Sequence, residues 1–180
     1  MKIDTISNQQ VIETERFDLR PLRLSDRGLI RLYAGDKRIA YNTTSIPHPL
    51  PPGVTADFIK RSQSKDHNED VWAIDGSKAE MQELLGLISL DRVTEKQSEV
   101  GYWIAPAFWG THLASEALAA LIEANPLNNT SFVALLFQDN PASAKVITSA
   151  GFQLVGESET FSVSRNALVE TWDYLLQINS

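Results

Sequence analysis

The sequence predicts an α/β fold with a mixed central sheet flanked by helices. Strand-like segments cluster in the first half of the chain, and helix-like segments alternate with strand-like ones in the second half. The 180 residues suffice for one well-buried domain and are few for two, and neither an internal repeat nor a linker divides them. We therefore predict one domain over residues 1–180, with residues 1–12 as a loosely ordered N-terminal segment.

Composition narrows the classes of function. With 43% hydrophobic and 22% charged residues, the chain is typical of a globular protein and not of a disordered one. A net charge of −7 argues against a nucleic-acid partner and suits a cationic or amine-bearing one. The lack of cysteine excludes disulfides and thiolate chemistry, and three scattered histidines argue against a metal site.

The sequence shows neither a targeting segment nor a membrane segment. The first ten residues, MKIDTISNQQ, lack the apolar core of a signal peptide. No apolar run approaches the ~20 residues that a membrane helix needs. We therefore expect a cytoplasmic protein with no membrane partner.

The first predicted strand spans residues 16–24, where apolar and polar side chains alternate, and it ends near Pro21. Apolar side chains then recur with helical spacing. Ser25 and Asp26 can cap this helix, which should end near Gly35.

A proline-rich segment follows from Asp36 to Gly53. Four prolines between Pro47 and Pro52 prevent a regular hydrogen-bonded ladder and predict a stiff, partly extended loop. A short helix is predicted from Thr55 to Lys60, and a polar connection follows it.

Three strands are predicted next, over residues 71–75, 84–90 and 99–106. Their connections are short and lack a good helix, which predicts an antiparallel meander. An amphipathic helix then runs to about Ala124. The almost continuously apolar residues 131–137 predict a strand in the centre of the sheet.

The last predicted helix has both of its ends marked in the sequence. Asn140 is a natural N-cap, Pro141 fits the first helical position, and Gly151 fits just past the end. The alternating residues 153–161 and 167–177 predict a final pair of strands joined by a turn.

Three motifs carry a resemblance to a known family: TERFDLRPLRLSD, EVGYWIAPAFWGTHLASEAL and DNPASAKVITSAGF. Together they resemble the GNAT acyltransferase superfamily and, within it, the RimJ/RimL-like branch of ribosomal-protein N-terminal acetyltransferases. The resemblance covers the chain from about Glu15 to Tyr174. It implies a fold whose central strands splay apart to hold acetyl-CoA. It also implies direct transfer of the acetyl group to a primary amine, without an acyl-enzyme.

The loop FWGTHLA is where the resemblance implies a pyrophosphate site. A helix start offers free N–H groups and the positive end of a dipole, both of which suit an anion. The usual version in this branch reads Trp-Gly-x-Gly-x-Ala, and here His112 replaces the second glycine. The implied cofactor-binding residues are Trp109, Gly110, Thr111, His112, Leu113 and Ala114. A plain connection with a surface histidine is the alternative. In a phosphate site, His112 either crowds the phosphates or adds a cationic contact to them.

The strand EVGYWIAP is implied to run beside the pantetheine arm of acetyl-CoA. The resemblance places a backbone N–H near Trp103 or Ile104 against the thioester carbonyl, where a donor stabilises developing negative charge. Both side chains suit the core. Glu99 heads the strand and is implied to be the general base, with an ordinary solvated carboxylate as the alternative. The base role requires burial to raise the pKa of Glu99.

Asn140 and Ser143 form the rear motif. The resemblance gives Asn140 a hydrogen bond to the pantetheine arm and places Ser143 beside the sulfur, where it can serve the leaving thiolate as an acid. An ordinary helix cap is the alternative role of Asn140. Ile147 stands where many superfamily members have a tyrosine, so the acid role falls to Ser143 or to no residue.

The acceptor side is the least defined by the sequence. In this branch the first two helices and their loop wall the acceptor cleft, which indicates Tyr41 and His48 as substrate-binding residues, and packing within a rigid loop is the alternative. We predict an acetyl-CoA-dependent N-acetyltransferase of the EC 2.3.1 class that acts on an amine, with a protein N-terminus as the branch-level acceptor. A small-molecule amine acetyltransferase and a catalytically weak acyl-CoA-binding module remain open, as does a homodimer.

Overall fold

The computed structural model describes residues 9–178 and confirms the mixed α/β fold. Its strands are β1 (Ile12–Glu13), β2 (Asp18–Pro21), β3 (Glu69–Asp75), β4 (Gly86–Thr94), β5 (Gln97–Ile104), β6 (Ser131–Phe137), β7 (Gln153–Ser162) and β8 (Ala167–Gln177). Its helices are α1 (Arg27–Ala34), α2 (Lys37–Ala40), α3 (Val54–Ser62), α4 (Leu113–Ala124) and α5 (Pro141–Ser149). Short 3-10 turns precede α1, β4 and α4.

The strands of the described residues form one sheet in the order β1-β2-β3-β4-β5-β6-β8-β7. Every neighbouring pair is antiparallel except β5 and β6. In this parallel pair, residues 97–99 of β5 lie opposite residues 131–133 of β6, and the described strands do not pair beyond these positions. The two central strands therefore splay apart after residue 99, as expected from the sequence.

Helices cover both faces of the sheet, and each face has its own apolar cluster. One cluster joins Leu118 of α4 and Ile147 of α5 to Phe132 of β6, and all three side chains are fully buried. The other cluster packs Ile30 of α1 and Ile59 of α3 against β3 and β4. The predicted antiparallel meander is confirmed as β3-β4-β5.

The ends of α5 match the sequence prediction. Asn140 is the N-cap, and its side chain accepts a hydrogen bond from Ser143 N at 3.3 Å. Pro141 is the first helical residue, and Gly151 lies past the end with φ of +98°. Local chemistry within a few residues determines both ends, which is why the sequence locates them.

Two aspartates near α1 act differently from expectation. Asp26 does not cap α1 through its side chain, because its carboxylate accepts hydrogen bonds from the Arg20 guanidinium and from Arg23 N. Asp36 caps α2, a short helix that the sequence analysis did not predict, by accepting from Arg38 N at 2.9 Å. The proline-rich segment is therefore irregular only after α2.

Strand β4 extends past its predicted end at residue 90, and β5 begins two residues before its predicted start at residue 99. The sequence analysis assigned residues 91–98 to a connection, whereas Asp91, Arg92 and Thr94 pair with β5. The solvent-exposed part of a hairpin can consist of polar side chains. The sequence of this extension therefore lacks the alternation of apolar and polar residues that predicts a strand. The longer hairpin brings Asp91 directly opposite Glu99.

Residues 1–8 of the predicted loose N-terminal segment lie outside the described residues. Residues 9–12 differ from that prediction, because they are held on the sheet. Trp72 Nε1 donates to Gln10 O at 2.8 Å, and Ile12 is buried in the core. Both contacts come from residues that are distant in sequence, so the segment itself gives no sign of them.

No helix within residues 9–178 is long and apolar enough to cross a membrane. The longest described helix, α4, has 12 residues, and a membrane helix needs about 20. The same described range contains no group of three or more His, Cys, Asp or Glu side chains that could hold a metal ion.

Candidate active site

A cavity of ≈ 510 Å³ opens where β5 and β6 separate. One wall comes from α1, α3 and the segment between α2 and α3, and the other comes from β6 and the start of α5. Strands β3, β4 and β5 form the floor. The lining includes residues 42–47, Glu69, Asp91, Glu99, Tyr102, Trp103, Phe137, Asn140 and Ser143.

The sequence-predicted residues Glu99, Trp103, Asn140 and Ser143 meet in this cavity. Glu99 and Trp103 come from β5, and Asn140 and Ser143 come from the start of α5, which follows β6. The splayed parallel pair therefore brings together two motifs that are about forty positions apart in the chain. Ile104 and the predicted pyrophosphate loop lie outside the lining, at the end of β5 and beyond it.

Glu99 is half-buried at the last position where β5 and β6 pair. Burial raises the pKa of its carboxyl above the ordinary value of 4.5, and the charges of Asp91, Glu69 and Asp173 raise it further. A general base works best when its pKa approaches the working pH. The surroundings of Glu99 therefore meet the condition that the base role requires.

Three carboxylates form a row across the floor of the cavity. Glu69 of β3 lies opposite Asp91 of β4, and Asp91 lies opposite Glu99 of β5. Residues that lie directly opposite share one face of a sheet, and all three line the cavity. Arg61 also lines it and offsets part of the charge at Glu69. The net negative charge beside Glu99 favours a cationic occupant.

Backbone direction along β5 decides which N–H faces the gap. Ala105 N donates to Leu85 O at 2.9 Å and so points toward β4. Because hydrogen-bonded and non-hydrogen-bonded pairs alternate along an antiparallel ladder, Trp103 N–H also faces β4. Ile104 N–H faces the β6 side, where the described part of β6 does not pair with it. The geometry therefore favours Ile104 over Trp103 as the donor position.

The side chains of Trp103 and Ile104 serve packing, as the sequence analysis expected. Ile104 is 7% exposed and belongs to the core cluster of the α4 face. Trp103 packs against the α1 face, where its ring meets Tyr33 edge-on at 6.3 Å between centroids. Trp103 also lines the cavity, so its ring contributes shape to the site.

Asn140 and Ser143 are hydrogen-bonded to each other. In addition to capping α5, Asn140 donates from Nδ2 to Ser143 Oγ at 3.1 Å. One amide therefore fixes both the helix start and the Ser143 hydroxyl. Its second Nδ2–H remains for a ligand. Ile147 is fully buried in the core and has no proton to donate.

The loop of residues 109–114 has the backbone of an anion-binding turn. Gly110 has φ of +75° and His112 has φ of +65°, so both are left-handed. His112 is the N-cap of α4, and its carbonyl accepts from Glu116 N. The N–H groups of residues 113–115 precede the intrahelical hydrogen bonds and are therefore available to a phosphate. Glycine suits position 112 for its left-handed backbone as well as for close approach.

Side chains in this loop stabilise the turn itself. Trp109 Nε1 donates to Ile104 O at 2.7 Å, and Thr111 Oγ1 donates to Phe108 O at 2.5 Å. Leu113 is buried in the core, and Ala114 packs against the same cluster. Any contact of these four positions with a cofactor is therefore expected to come mainly from the backbone.

Arg16 also holds the loop, and the sequence analysis did not single it out. Its Nη2 donates to Thr111 O at 2.7 Å, and its Nε donates to Glu116 Oε2 at 2.9 Å. Arg16 belongs to the front motif, TERFDLRPLRLSD. Its contact crosses 95 positions of sequence, so only the folded sheet shows it.

Tyr41 and His48 do not line the described cavity. Their rings pack edge-on to each other at 6.4 Å, and Lys37 Nζ lies 4.7 Å from the centre of the Tyr41 ring. Residues 42–47, between them, form the wall. The sequence therefore locates the segment, whereas the direction of each side chain depends on the conformation of the loop.

Tyr102 is a cavity residue that the sequence analysis did not select. Its hydroxyl donates to Ser143 O at a long 3.5 Å, and burial raises its pKa above the ordinary value of 10.0. It lies between Gly101 and Trp103 in a strand whose side chains alternate between faces. From the sequence alone, Tyr102 looks like an ordinary core residue, because the gap beside β5 is visible only in the folded structure.

The sheet opens at its parallel pair, Glu99 lies in the gap, and a helix begins beyond the end of β5, an arrangement that suits an α/β acyltransferase. The model of the acetyltransferase (GNAT) domain family matches residues 16–153, and the chain belongs to this family. It is therefore an N-acetyltransferase, and acetyl-CoA is the acetyl donor of this family.

Sequence relatives include N-acetyltransferases from two bacteria. The uncharacterized N-acetyltransferase YoaA of Bacillus subtilis is 26% identical over 155 residues, which are 81% of this chain and 84% of that protein. The ribosomal-protein-serine acetyltransferase of Escherichia coli is 38% identical over 78 residues, which are 41% of this chain and 44% of that protein.

Solved structures share the fold at low sequence identity. RimL, a ribosomal L7/L12 alpha-N-protein acetyltransferase in complex with coenzyme A, has a TM-score of 0.80 at 18% identity, covering 94% of this chain and 98% of that chain. Spermidine N-acetyltransferase from Vibrio cholerae, in complex with CoA and spermine, has a TM-score of 0.76 at 16% identity, covering 91% and 96%.

His112→Gly is expected to stabilise the protein by about 0.5–1 kcal/mol. A left-handed backbone costs a residue with a side chain about 1–2 kcal/mol, and the entropy of glycine in the unfolded chain removes part of that gain. The loop N–H groups stay in place, so acetyl-CoA binding is expected to be retained or tightened. Thermal unfolding with and without acetyl-CoA measures both effects.

His112→Asn is the matched control, since asparagine also tolerates this backbone, and its stability should stay near that of the unmodified protein. Weaker acetyl-CoA binding by His112→Gly would contradict the prediction. It would show that the His112 side chain adds a contact to the phosphates.

Proposed function

We propose that this protein transfers the acetyl group of acetyl-CoA to a cationic primary amine, with Glu99 as the general base. The observation that carries the proposal is the position of Glu99. It is half-buried in the cavity, its pKa is raised, and it lies in the same gap as Ser143 and the Ile104 N–H.

In this proposal acetyl-CoA lies between the loop of residues 109–114 and the gap that separates β5 from β6. Acetyl-CoA supplies the acetyl group as an activated thioester. The N–H groups of residues 113–115 receive the pyrophosphate, and the free Nδ2–H of Asn140 serves the pantetheine arm. The left-handed turn at Gly110 and the open helix start fit such an anion.

The chemical step needs one proton acceptor and one oxyanion donor. Glu99 takes a proton from the acceptor ammonium, directly or through a water, so that the amine lone pair attacks the thioester carbon. Ile104 N–H donates to the carbonyl oxygen as negative charge develops on it. The carbon–sulfur bond then breaks, and Ser143 hydroxyl donates a hydrogen bond to the thiolate. The extra proton that remains on the attacking nitrogen passes to this thiolate, and Glu99 releases its own proton to water. The products are the N-acetylated amine and CoA.

Two acceptor classes follow from different observations. The relatedness to a ribosomal-protein-serine acetyltransferase supports a protein acceptor, for which we propose the N-terminal α-amine. The row of Glu69, Asp91 and Glu99 supports a small amine with more than one positive charge, because the outer carboxylates can bind a second ammonium. The fold is shared with a spermidine N-acetyltransferase solved in complex with CoA and spermine, and spermine is a polyamine of this second class.

Thiol release from acetyl-CoA distinguishes these acceptors. The panel contains a peptide with a free N-terminus, the same peptide with a blocked N-terminus, a linear diamine and a monoamine of equal length. We expect turnover of the free peptide or the diamine, and much slower turnover of the blocked peptide and the monoamine. Asp91→Asn should raise KM for the diamine several-fold and leave the monoamine unchanged.

Thermal unfolding with acetyl-CoA separates the enzyme from a binding module. A rise in melting temperature together with thiol release supports the proposal. A rise without thiol release on any amine contradicts catalysis and favours an acyl-CoA-binding module. The lack of any rise contradicts both.

A further inference from the structure

The turn between β7 and β8 leaves the sheet and contacts the wall of the cavity. Val163 N donates to Thr44 O at 3.0 Å, and Ser164 Oγ donates to Ala40 O at 2.9 Å. Both contacts join the far end of the chain to the segment that runs from α2 into the acceptor wall, residues 42–47. The turn therefore acts as a brace for that wall.

The guanidinium of Arg165, in the same turn, binds both sides of the cavity. Its Nε and Nη2 donate to Tyr41 O at 3.0 and 2.7 Å. Its Nη1 and Nη2 donate to the two carboxylate oxygens of Asp139 at 2.6 and 3.1 Å. It also lies 5.5 Å from the centre of the Tyr41 ring and 4.9 Å from that of Phe137.

These partners belong to opposite walls. Tyr41 immediately precedes the acceptor wall, whereas Asp139 immediately precedes Asn140 and Phe137 ends β6. The walls meet the sheet on either side of the gap, where β5 and β6 do not pair. The Arg165 side chain therefore links the two walls at a place where the described strands β5 and β6 share no backbone hydrogen bonds.

Arginine is suited to this bridge. Its planar fork presents five N–H donors, enough for a carboxylate and a carbonyl at once, whereas lysine offers one compact ammonium. The Arg165 side chain is 19% exposed and that of Asp139 is 58% exposed, so the bonds to Tyr41 O are the ones partly shielded from water. The hydrogen bond from Arg165 also holds the pKa of Asp139 below its ordinary value, which keeps the pair charged near neutral pH.

We propose that Arg165 is a positioning residue that fixes the acceptor wall, residues 42–47, against the Asp139–Asn140 loop and thereby sets the affinity for the acceptor amine. The effect on affinity rests on the proposed function, whereas the fixing of the wall does not. Loss of the fork leaves the strands intact, and Asn140 keeps its own hydrogen bonds to Ser143. The wall loses its link to the Asp139–Asn140 loop and is free to move.

Amide hydrogen exchange of the whole protein tests the fixed wall. In Arg165→Gln we expect exchange of the amides of residues 42–46 to become roughly tenfold faster, because the charged hydrogen bonds to the preceding Tyr41 O are lost. Exchange in β3 should not change. Arg165→Lys keeps the charge and should give a smaller but clear increase. Arg27→Lys, an exposed arginine on α1, is the control and should match the unmodified protein.

Kinetics then test the effect on the acceptor. For Arg165→Gln we expect KM for the acceptor to rise roughly tenfold, with kcat and KM for acetyl-CoA within about twofold. Arg27→Lys should leave all constants unchanged.

Three results would overturn the proposal. One is unchanged exchange of residues 42–46 in Arg165→Gln. Another is equally faster exchange in β3, which would indicate general destabilisation. The third is an equal rise of KM for acetyl-CoA and acceptor. If the unmodified protein releases no thiol with any amine, the proposed function fails, and the exchange measurement still decides whether Arg165 fixes the wall.

Discussion

Glu99→Gln is expected to lower kcat by roughly 10²–10⁴-fold, the usual contribution of a general base. Glutamine keeps the size and the hydrogen-bonding capacity of the side chain but cannot take up the proton. Acetyl-CoA binding should be unchanged, because the proposed donor contacts come from the loop and from Asn140. Thiol release under saturating acceptor and thermal unfolding with acetyl-CoA measure the two effects separately.

The pH profile gives the role of Glu99 a second test. Its raised pKa means that the active carboxylate forms only above the ordinary value of 4.5. Activity of the unmodified protein should therefore rise as pH increases through the raised pKa of Glu99. The Glu99→Gln variant should not show this rise. Glu69→Gln, in the same row of carboxylates, is the matched control and should keep it. A profile that is the same with and without Glu99 would remove it as the base.

The same substitution is expected to raise stability at neutral pH. The folded state holds the Glu99 proton more tightly than the unfolded state does, so stability falls as pH rises from about the ordinary value of 4.5 through the raised pKa. Glu99→Gln removes this loss, so at pH 7 the variant should melt at a higher temperature than the unmodified protein. Below pH ~4, where Glu99 is protonated in both states, the variant should have no such advantage. A lower melting temperature at pH 7 would contradict the buried-charge interpretation.

Arg20→Met is expected to destabilise the fold by about 3–5 kcal/mol, the typical cost of leaving a buried charge without its partner. The Arg20 side chain is 5% exposed and contacts Asp26 and Asp75, whose side chains are 1% and 10% exposed. Its Nη1 and Nη2 donate to Asp26 at 2.9 and 2.8 Å, and its Nε donates to Asp75 at 2.6 Å. Methionine fills the space but leaves two buried carboxylates without this partner.

Urea or thermal unfolding measures this loss. Arg20→Lys retains one charge and should lose less, which keeps the test informative if Arg20→Met does not fold. Arg92→Met removes an exposed arginine that lies 3.8 Å from Asp70, and it should change stability little. Equal stability of Arg20→Met and Arg92→Met would contradict the buried-network interpretation.

Acid should weaken the same network. Burial alone raises the pKa of Asp75, but hydrogen bonds from Ser77 and Arg20 outweigh it and lower the pKa below the ordinary 3.8. The resulting stabilisation is fully present when the pH is above the ordinary Asp pKa of 3.8. It is lost as the pH falls through the lowered pKa of Asp75. Arg20→Met should therefore show a weaker dependence of stability on pH in this acidic range.

Much of the fold could be predicted from short stretches of sequence. Residues 131–137 and 167–177 were predicted as strands with the bounds that the structure gives to β6 and β8. The start of α5 was also correct, since its cap chemistry lies within a few residues of Asn140. Propensity, alternation and capping act over one or two turns of chain, so the local sequence contains them.

The candidate site was predicted only in part, because the sequence shows local motifs but not the contacts between distant segments. Glu99, Asn140 and Ser143 carry local motifs, and the structure brings them into one cavity. The alignment of Glu69 and Asp91 with Glu99 was missed because it depends on the register of three strands. A single-residue slip in that register would turn the side chains to the other face.

The sequence by itself determined the class of fold, the order of its elements apart from β1 and α2, and the motifs that place the chain among acetyltransferases. Only the tertiary structure decided that Ile104 N–H faces the gap, that Tyr41 and His48 lie outside the cavity lining, and that Arg16 and Arg165 donate to Thr111 O and Tyr41 O. Local patterns depend on neighbouring residues, whereas these contacts join segments about 95 and 124 positions apart. Their geometry exists only after the sheet has formed and its central strands have separated.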